Sequence, residues 1–345
     1  MKRPAVFAIP GDINARTGGY IYEKTLLLEL RRQGRAVTHL ALPGSYPDPT
    51  EADLAETVAA LAAIPAETPA ILDGFLTGAT DPAGLAQMQA PFVAVTHHPL
   101  ALETGLSAAR AAHLRAVERA NLVRAAHVLV PSPLTAQVLS ADYGVPAGRI
   151  TVAQPGIEQP GPWEGEVAEP PMILAVGQIV PRKGFDIFLK ALQSIVDAEW
   201  QAVIVGGGLE TPYGREVQAL CETLDLGARV RFTGALGDED LGALYRKASV
   251  FALATRYEGY GMVFGEALVH GLPVVSCRAG AVPWTVPSDA GVLVPPDDPA
   301  RFAAALREVL SDRPRYAAAA AARGAALPGW ADTAAIADGV LERLF

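Results

Sequence analysis

Short apolar runs alternate with amphipathic segments of helical length along the whole chain, and this alternation is what most constrains the fold. Twelve runs have the length and apolar content of buried strands. They lie at residues 5–9, 35–42, 70–76, 92–97, 127–132, 149–155, 172–177, 201–206, 230–234, 250–255, 273–277 and 290–295. Helical patterns fill the intervals, notably 20–32 and 107–124. Because strands that alternate with helices pair in parallel and are covered on both faces, the pattern predicts an α/β protein.

The alternation breaks at residues 159–171, QPGPWEGEVAEPP. Four prolines and three acidic residues without periodicity are typical of a linker. The strand–helix pattern restarts at residue 172. For a chain of 345 residues, we therefore predict two doubly wound α/β domains, over 1–160 and 171–326, that face each other across a cleft.

Charge and composition exclude several classes of partner. The formal net charge of −9 argues against nucleic acid. No uncharged apolar run approaches the roughly 18–20 residues that span a bilayer, so we expect no transmembrane segment. The apolar stretch after the basic N-terminus is too short for a signal peptide. Cys221 and Cys277 fit no metal-ligand spacing and no disulfide framework, which predicts a reducing, cytoplasmic location.

One predicted helix carries Arg110, Arg115, Arg119 and Arg124, which could contact an anionic membrane. At about 100° per residue, these side chains spread around the helix axis, and Glu118 lies among them. That distribution is typical of a solvated helix, so peripheral membrane contact is possible but not indicated.

The most informative segment is TRYEGYGMVFGEALVHGLPVV, at 255–275. A strand ends near Thr255, a glycine-containing turn follows, and a helix begins near Gly261. The free amides and positive dipole end of that helix suit a phosphate. Glu258 could accept hydrogen bonds from sugar hydroxyls and Glu266 could reach a ribose. Taken alone, Glu258 could also be a first-turn acid and Glu266 a solvated helix residue.

Two further segments have phosphate-binding features. In LAVGQIVPRKGFDIFLKAL, at 174–192, Arg182 and Lys183 stand between a strand end and a helix start, as in a diphosphate clamp, although such a pair is often plain surface. In PGDINARTGGYIYEKTLLLELRRQG, at 10–34, Gly18 and Gly19 open the first helix. Glycines there let a phosphate approach the backbone, or form only a turn.

In this order, the three segments resemble the retaining glycosyltransferases of family 4, whose GT-B fold has two Rossmann-like domains. The most specific element is Glu258, seven residues, then Glu266, followed by HGLPVV. The resemblance extends to PSDAGVLVPPDDP at 287–299. The segment from 127 to 158 is similar to the family's end of the first domain, and residues 327–345 are then expected to form a helix that crosses back to that domain.

The resemblance implies a role for each matching residue. Glu258 would contact the donor sugar and Glu266 the ribose hydroxyls, while the clamp cations neutralise the diphosphate. The amides of the helix start would hold the distal phosphate, and the first-domain glycines would close on it. The implied donor-binding residues are Gly18, Gly19, Arg182, Lys183, Gly261, Met262, Val263 and Glu266.

The family also places a histidine after a first-domain strand, beside the reacting sugar. The strand at 91–96 runs into His97 and His98. Counting from Pro91 favours His97 as the second catalytic residue beside Glu258. His98 remains an alternative, and so does a histidine that only caps the strand end.

Two positions depart from the family pattern. Gln178 stands where the family usually has an arginine, so one diphosphate cation is missing. Trp284 stands where the family often has a glutamate. Both departures bear on donor binding and not on the fold.

The implied function is transfer of a sugar from a nucleotide-diphosphate donor to an acceptor hydroxyl, with retention of the anomeric configuration. No metal and no other cofactor is expected, because the clamp and the helix dipole can neutralise the leaving group. UDP-sugars are slightly preferred over GDP-sugars, and the acceptor is undetermined. The alternatives are a nucleotide-sugar epimerase or a phosphorylase of the same fold, and a non-catalytic nucleotide-sugar-binding protein.

Overall fold

The computed structural model describes residues 2–103, 105–163 and 165–344, and within them twelve strands form two six-stranded sheets. Every pairing between neighbouring strands is parallel. Each apolar run predicted as a strand overlaps one of the twelve, and only β1 extends beyond its run, by one residue. The prediction of two doubly wound α/β domains is confirmed.

The chain divides into two units, Met1–Gly156 with Pro328–Phe345, and Ile157–Leu327. The first division falls just before the proline-rich stretch at 159–171. In the first unit the sheet order is β2-β1-β3-β4-β5-β6. Its elements are β1 Ala5–Pro10, α1 Gly18–Arg32, β2 Val37–Leu42, α2 Glu51–Ala62, β3 Ala70–Leu72, α3 Gly74–Ala79, α4 Pro82–Leu85, β4 Phe92–Val95, α5 Ala108–Arg124, β5 His127–Val130, α6 Pro133–Tyr143 and β6 Ile150–Val152.

In the second unit the sheet order is β12-β11-β10-β7-β8-β9. Its elements are β7 Met172–Val176, α7 Phe185–Gln193, β8 Gln201–Val205, α8 Pro212–Thr223, β9 Val230–Phe232, α9 Asp238–Lys247, β10 Val250–Leu253, α10 Met262–Val269, β11 Val274–Cys277, α11 Val282–Thr285, β12 Gly291–Val294, α12 Pro299–Ser311 and α13 Arg313–Ala325. The chain then returns to the first unit as α14, Trp330–Glu342.

Helices cover both faces of each sheet, and alternation along a strand explains why. In β1, Phe7 and Ile9 pack in the same apolar cluster as α1 and α14, whereas Ala8 packs in the cluster on the opposite face. Successive side chains of a strand point to opposite faces, so a strand that is apolar throughout needs a layer on each side.

The composition of the apolar run at 70–76 predicted a single strand, but the structure has a short strand followed by a helix there. β3 ends at Leu72 and α3 begins at Gly74. Asp73 separates them, because its carboxylate accepts a hydrogen bond from the amide of Phe75 at 2.6 Å and so caps the helix. Asp73 is thereby placed at the carboxyl end of the sheet.

α14 packs against α1 of the first unit. Ala334, Ala337 and Leu341 are buried on one face of α14. A buried ion pair adds to this apolar contact, since Arg35 Nε donates to Asp338 Oδ1 at 2.5 Å. Across the described residues, the structure has no helix that is both long and apolar enough to cross a membrane.

Candidate active site

Two loops of the second unit start from adjacent strands. The strand order reverses between β7 and β10, which are neighbours in the sheet. Ligands of open α/β sheets bind outside the carboxyl ends of the strands at such a reversal. The β7–α7 loop contains the predicted clamp and the β10–α10 loop contains Glu258, so the topology brings both motifs to this point.

Gly184 fixes the clamp beside β10. Pro181–Lys183 form a 3-10 turn, and Gly184 follows with a φ of 65°. A Cβ atom at Gly184 would lie 1.9 Å from the carbonyl oxygen of Ala254. Glycine alone combines this backbone conformation with so close an approach. The local sequence therefore holds Arg182 and Lys183 against the end of β10.

Glu258 is buried and pairs with both clamp cations. Lys183 Nζ donates to Glu258 Oε1 at 2.6 Å, and an Arg182 guanidinium nitrogen lies 3.3 Å from Oε2. The hydroxyl of Thr255 donates to Oε1 at 2.9 Å. Burial by itself would raise the pKa of Glu258, but the two cations outweigh it and hold that pKa below the ordinary value. Glu258 is therefore an anion, and not a plain first-turn acid.

Arg256 ties the clamp to its surroundings. Its backbone amide donates to the carbonyl oxygen of Arg182 at 2.8 Å, and its guanidinium donates to the carbonyl oxygen of Pro181. The same guanidinium forms a bidentate pair with Asp186 at 2.9 and 3.0 Å and reaches Asp297 at 2.7 Å. These bonds fix the backbone of the turn in place before any ligand binds.

Gly261 sets the start of α10. It has a φ of 81° and precedes the first helical residue, Met262. The amides of Met262 and Val263 belong to the first turn, where a helix offers no internal acceptor. They lie four and five residues after Glu258, so the first-turn amides that the sequence predicts for a phosphate follow the ion-paired carboxylate closely along the chain.

Glu266 is half-buried and has a fixed partner. The hydroxyl of Tyr245, in α9, donates to Glu266 Oε2 at 2.8 Å. Tyr245 in turn stacks on Phe251 and on His270. Burial raises the pKa of Glu266, while the bond from Tyr245 lowers it. The structure thus excludes the alternative of a freely solvated Glu266.

The two positions that depart from the family pattern lie at the edge of this site. Gln178 is exposed in the β7–α7 loop. Trp284 is 57% exposed in α11. The residue that precedes α11 contacts the Glu258 turn directly, since the amide of Ala281 donates to the carbonyl oxygen of Glu258 at 2.8 Å.

In the first unit, the predicted glycines and histidine lie together. Gly18 and Gly19 open α1, and a Cβ atom at Gly19 would lie 3.4 Å from the His97 ring. Tyr22, one turn further along α1, meets the same ring edge-on with centroids 5.1 Å apart. The His97 ring thus packs directly against the backbone of Gly19.

Two buried carboxyls face His97. Glu23 Oε1 lies 3.5 Å from His97 Nε2, and a carboxyl oxygen of Asp73 comes within 4.8 Å of both side chains. Burial raises the pKa of Glu23 to about 7, although the neighbouring Asp73 carboxyl lowers it. Burial and the Glu23 charge raise the pKa of Asp73 well above its ordinary value. Two buried carboxyls this close together favour the state in which the pair shares one proton and carries one negative charge.

These three side chains also form the one group of His, Cys, Asp and Glu in the described residues whose atoms could converge on a metal ion, with those atoms within 4.8 Å of one another. Asp73 is already engaged, because it accepts the amide of Phe75. A proton shared between Asp73 and Glu23 also relieves the repulsion between these two carboxyls, so the pair does not need a metal cation to do so.

His98 points elsewhere. Its Nε2 is hydrogen-bonded to Glu103. The tandem histidines therefore differ, since only His97 lies against Gly19 and the buried carboxyls.

Sequence reasoning missed several residues of these two clusters. Glu23 and Asp73 had a usable signal: Glu23 shares a helical face with apolar residues three, four and seven positions later, and Asp73 lies within an apolar run. Tyr245 had none, since nothing in its neighbourhood distinguishes it from a core aromatic. Arg256 lies inside the most informative segment, but its partners are up to 75 residues away.

Two family models match this chain. Residues 22–159 match the model described as Glycosyltransferase Family 4, and residues 170–312 match the model described as Glycosyl transferases group 1. Together these matches cover most of the sequence, and they include the Glu258 and clamp segments.

Among curated proteins, the chain is similar to a GDP-mannose-dependent alpha-(1-6)-phosphatidylinositol monomannoside mannosyltransferase of Mycobacterium tuberculosis, with 36% identity over 45% of this chain and 42% of the relative. It is also similar to a D-inositol 3-phosphate glycosyltransferase of Streptomyces avermitilis, with 32% identity over 65% of this chain and 53% of the relative. The chain thus spans about half the length of the curated relatives that it matches.

Solved structures share the fold. A sucrose-phosphate synthase from Thermosynechococcus elongatus superposes with a TM-score of 0.84 at 23% identity, covering 100% of this chain and 99% of the other. The Anabaena protein HepE, solved with UDP and glucose, superposes with a TM-score of 0.78 at 16% identity, covering 99% and 100%.

Proposed function

The chain belongs to the family-4 glycosyltransferases with the GT-B fold, and from this premise we propose that it transfers a sugar from a nucleoside diphosphate to an acceptor hydroxyl with retention of the anomeric configuration. One observation carries the proposal. Lys183, Arg182 and Glu258 form a buried ion cluster at the carboxyl ends of β7 and β10, beside the start of α10.

The cluster suits a departing diphosphate. As the bond from sugar to phosphate breaks, negative charge grows on the phosphate oxygens. Lys183, Arg182 and the first-turn amides of α10 are fixed donors for that charge, which need not reorganise as the reaction proceeds. Arg256 keeps the clamp backbone in position.

Glu258 is poorly suited to be a covalent nucleophile. Its two oxygens accept hydrogen bonds from Lys183, Thr255 and Arg182, and each bond stabilises the carboxylate and lowers its reactivity. We therefore assign Glu258 to binding of the transferred sugar. Retention then follows from attack on the face that the diphosphate leaves, with the leaving phosphate accepting the acceptor's proton.

His97 is the residue that we assign to the sugar in the first unit. Burial lowers its pKa, although the charge of Asp73 raises it, so the ring is neutral at physiological pH. A neutral ring can orient a sugar hydroxyl without acting as a base. Gly18 and Gly19 keep the backbone beside the ring open to a ligand.

We propose UDP- and GDP-sugars as the donors to test, in that order. The donor that names one relative is GDP-mannose, and a structural neighbour was solved with UDP. Glu266 is the residue that we assign to the ribose of either nucleotide, because Tyr245 fixes one of its oxygens. We assign no metal ion to the diphosphate, since the clamp cations supply positive charge there. A cytoplasmic location remains our proposal from the two cysteines, which are free and buried.

Isothermal calorimetry with UDP, GDP and ADP, followed by acceptor profiling with the sugar donor of the nucleotide that binds, tests the proposal. Lys183→Met should lose nucleotide affinity, and Lys190→Met, which changes an exposed lysine of α7, is the matched control. Turnover should persist in EDTA. Phosphate-dependent cleavage of a disaccharide would favour a phosphorylase, and interconversion of donor sugars an epimerase. Binding without turnover across many acceptors would favour a non-catalytic protein.

A further inference from the structure

The environment of His97 is asymmetric. Its Nε2 faces Glu23 Oε1 at 3.5 Å, whereas the side chain as a whole keeps 25% of its surface exposed. Nε2 itself is buried. The second ring nitrogen, Nδ1, therefore lies away from the carboxyl pair.

Glu23 is fully buried and has few partners. Within the described residues, neither of its oxygens accepts a bond from a backbone amide or a hydroxyl. Its neighbours are the Asp73 carboxyl and the His97 ring. A buried carboxylate without donors is costly, so a proton shared with Asp73 and a proton on His97 Nε2 are what the site offers to satisfy it.

Asp73 is held from its other side. The amide of Phe75 donates to Oδ1 at 2.6 Å, and its own backbone amide donates to the carbonyl oxygen of Ala8. The bond from Phe75 fixes the Asp73 carboxyl, and the bond to Ala8 fixes the Asp73 backbone. The side chains of Asp73, Glu23 and His97 then follow one another from the start of α3 to the ring.

We propose that Asp73 and Glu23 are positioning residues: Glu23 accepts the Nε2–H of His97, Asp73 holds Glu23 in place, and the ring is so fixed in the tautomer whose Nδ1 is a free acceptor. This inference rests on the proposed function, because the group that Nδ1 would accept from is a hydroxyl of the transferred sugar. The carboxyl pair touches no substrate. It acts by deciding which nitrogen carries the proton.

The other groups around the pair do not compete for this proton. Tyr20 and Tyr22 of α1 face the carboxyls, and Asp12 of the β1–α1 loop acts on Tyr20. The Tyr20 hydroxyl donates to the carbonyl oxygen of Pro10, and the Tyr22 hydroxyl to that of Ala153. Burial raises the pKa of Tyr20 to about 12, and it raises that of Tyr22 further. Both phenols stay protonated, with their protons committed elsewhere.

Two-bond nitrogen–proton NMR spectra of the imidazole side chains test this directly. The protein has six histidines, and a His97→Asn variant assigns the His97 signals. Wild-type protein should show the Nε2–H tautomer alone. Glu23→Met should show a mixture of the two tautomers, because the acceptor that fixes the proton on Nε2 is gone. Glu23→Gln keeps an acceptor oxygen, and Asp73→Asn keeps both the cap on α3 and a donor to Glu23, so both should keep the tautomer.

Kinetics provide a second readout. Glu23→Met should lower kcat about ten- to a hundredfold through misplacement of the ring, while the affinity for free nucleoside diphosphate stays unchanged. Glu23→Gln should restore most of kcat. If Glu23→Met does not fold, the His97 tautomer in the spectrum of the wild-type protein decides whether the inference holds.

Three results would overturn the inference: an Nδ1–H tautomer in wild-type protein, a His97 ring that Glu23→Met leaves unaltered, or stoichiometric metal in the purified protein whose removal shifts the His97 signals. Failure of the proposed function would give a different result from these three. The His97 tautomer would then be as expected, but no nucleotide-sugar donor would support sugar transfer.

Discussion

Lys183 Nζ donates a hydrogen bond to Glu258 Oε1 at 2.6 Å, and both residues are buried. The cation predicted for the diphosphate and the carboxylate predicted for the sugar are thus one ion pair before any donor binds. A diphosphate that approaches Lys183 shares it with Glu258. The two roles cannot be fully separated by mutation, and the predictions for Glu258 and Glu266 differ for this reason.

Glu258→Gln should keep or raise the affinity for free nucleoside diphosphate and lower kcat at least about tenfold. The substitution removes the negative charge that competes with the diphosphate for Lys183 and Arg182. It also removes a charged hydrogen-bond acceptor for the sugar, which contributes about 1.5–3 kcal/mol. Calorimetry and initial rates measure the two effects. A nucleotide affinity that falls in Glu258→Gln as much as in Glu266→Ala would contradict this reading.

Glu266→Ala should weaken binding of the free nucleotide about ten- to a hundredfold, since it removes a carboxylate acceptor for ribose hydroxyls. Tyr245→Phe is the milder companion, because it deletes only the hydroxyl that donates to Glu266 Oε2. It should cost about 0.5–1.5 kcal/mol of nucleotide affinity. Equal affinities in wild type and Glu266→Ala would remove Glu266 from the ribose site.

Much of the fold was predictable, because strand and helix periodicity are local properties of the sequence. The alternation located all twelve strands, and the loop motifs at 177–184 and 255–261 lie where the strands end. The run at 70–76 was misread as one strand because apolar composition does not reveal a cap, and Asp73 is a cap.

The partners within the site were not predictable. Lys183 and Glu258 are 75 residues apart, and Glu23 and His97 are brought together only when α1 packs beside the end of β4. A pairing between distant residues depends on sheet order, and a single sequence carries no signal for it. Glu266 illustrates the consequence: the sequence predicted a contact to ribose and left a solvated side chain as the alternative, but it did not predict that Tyr245 holds Glu266.

The clamp should show a graded response. Lys183→Ala should lose most of the donor affinity, Arg182→Ala somewhat less, and exposed Gln178→Ala the least, because charged donors contribute about 1.5–3 kcal/mol and neutral ones about 0.5–1.5. Gln178→Arg should keep or raise the affinity, with a larger gain at low ionic strength. Dissociation constants for the four variants at low and high salt check the order. A larger loss in Gln178→Ala than in Lys183→Ala would mean that the clamp lies in another register.

The first unit should lose stability when the Arg35–Asp338 pair is broken. Arg35 is fully buried, and in Asp338→Asn it would lose a charged partner while it keeps Glu342 and the carbonyl oxygen of Arg3. We therefore expect Asp338→Asn to lower the free energy of unfolding by about 1.5–3 kcal/mol near neutral pH. Burial would raise the pKa of Asp338, but bonds from Arg35 and Lys2 hold it below the ordinary value.

The pH dependence of the unfolding free energy follows from this lowered pKa of Asp338. A carboxyl whose folded-state pKa is depressed stabilises the protein above its unfolded pKa, near 4, and loses that contribution as pH falls through the folded value. Urea unfolding of wild type and Asp338→Asn should therefore converge on acidification below about pH 4. Glu67→Gln, at an exposed site of the first unit, is the control. A gap between the curves that does not change with pH would count against the ion pair.

The proposed transfer with retention is tested most directly by following the anomeric proton of the sugar by NMR from the start of the reaction. The coupling constant of the first product to accumulate, before any anomerisation, reports its configuration. We expect a glycoside with the anomeric configuration of the donor, formed at the rate at which nucleoside diphosphate is released and unaffected by EDTA. A glycoside of inverted configuration, or release of nucleoside diphosphate with only free sugar as product, would contradict it.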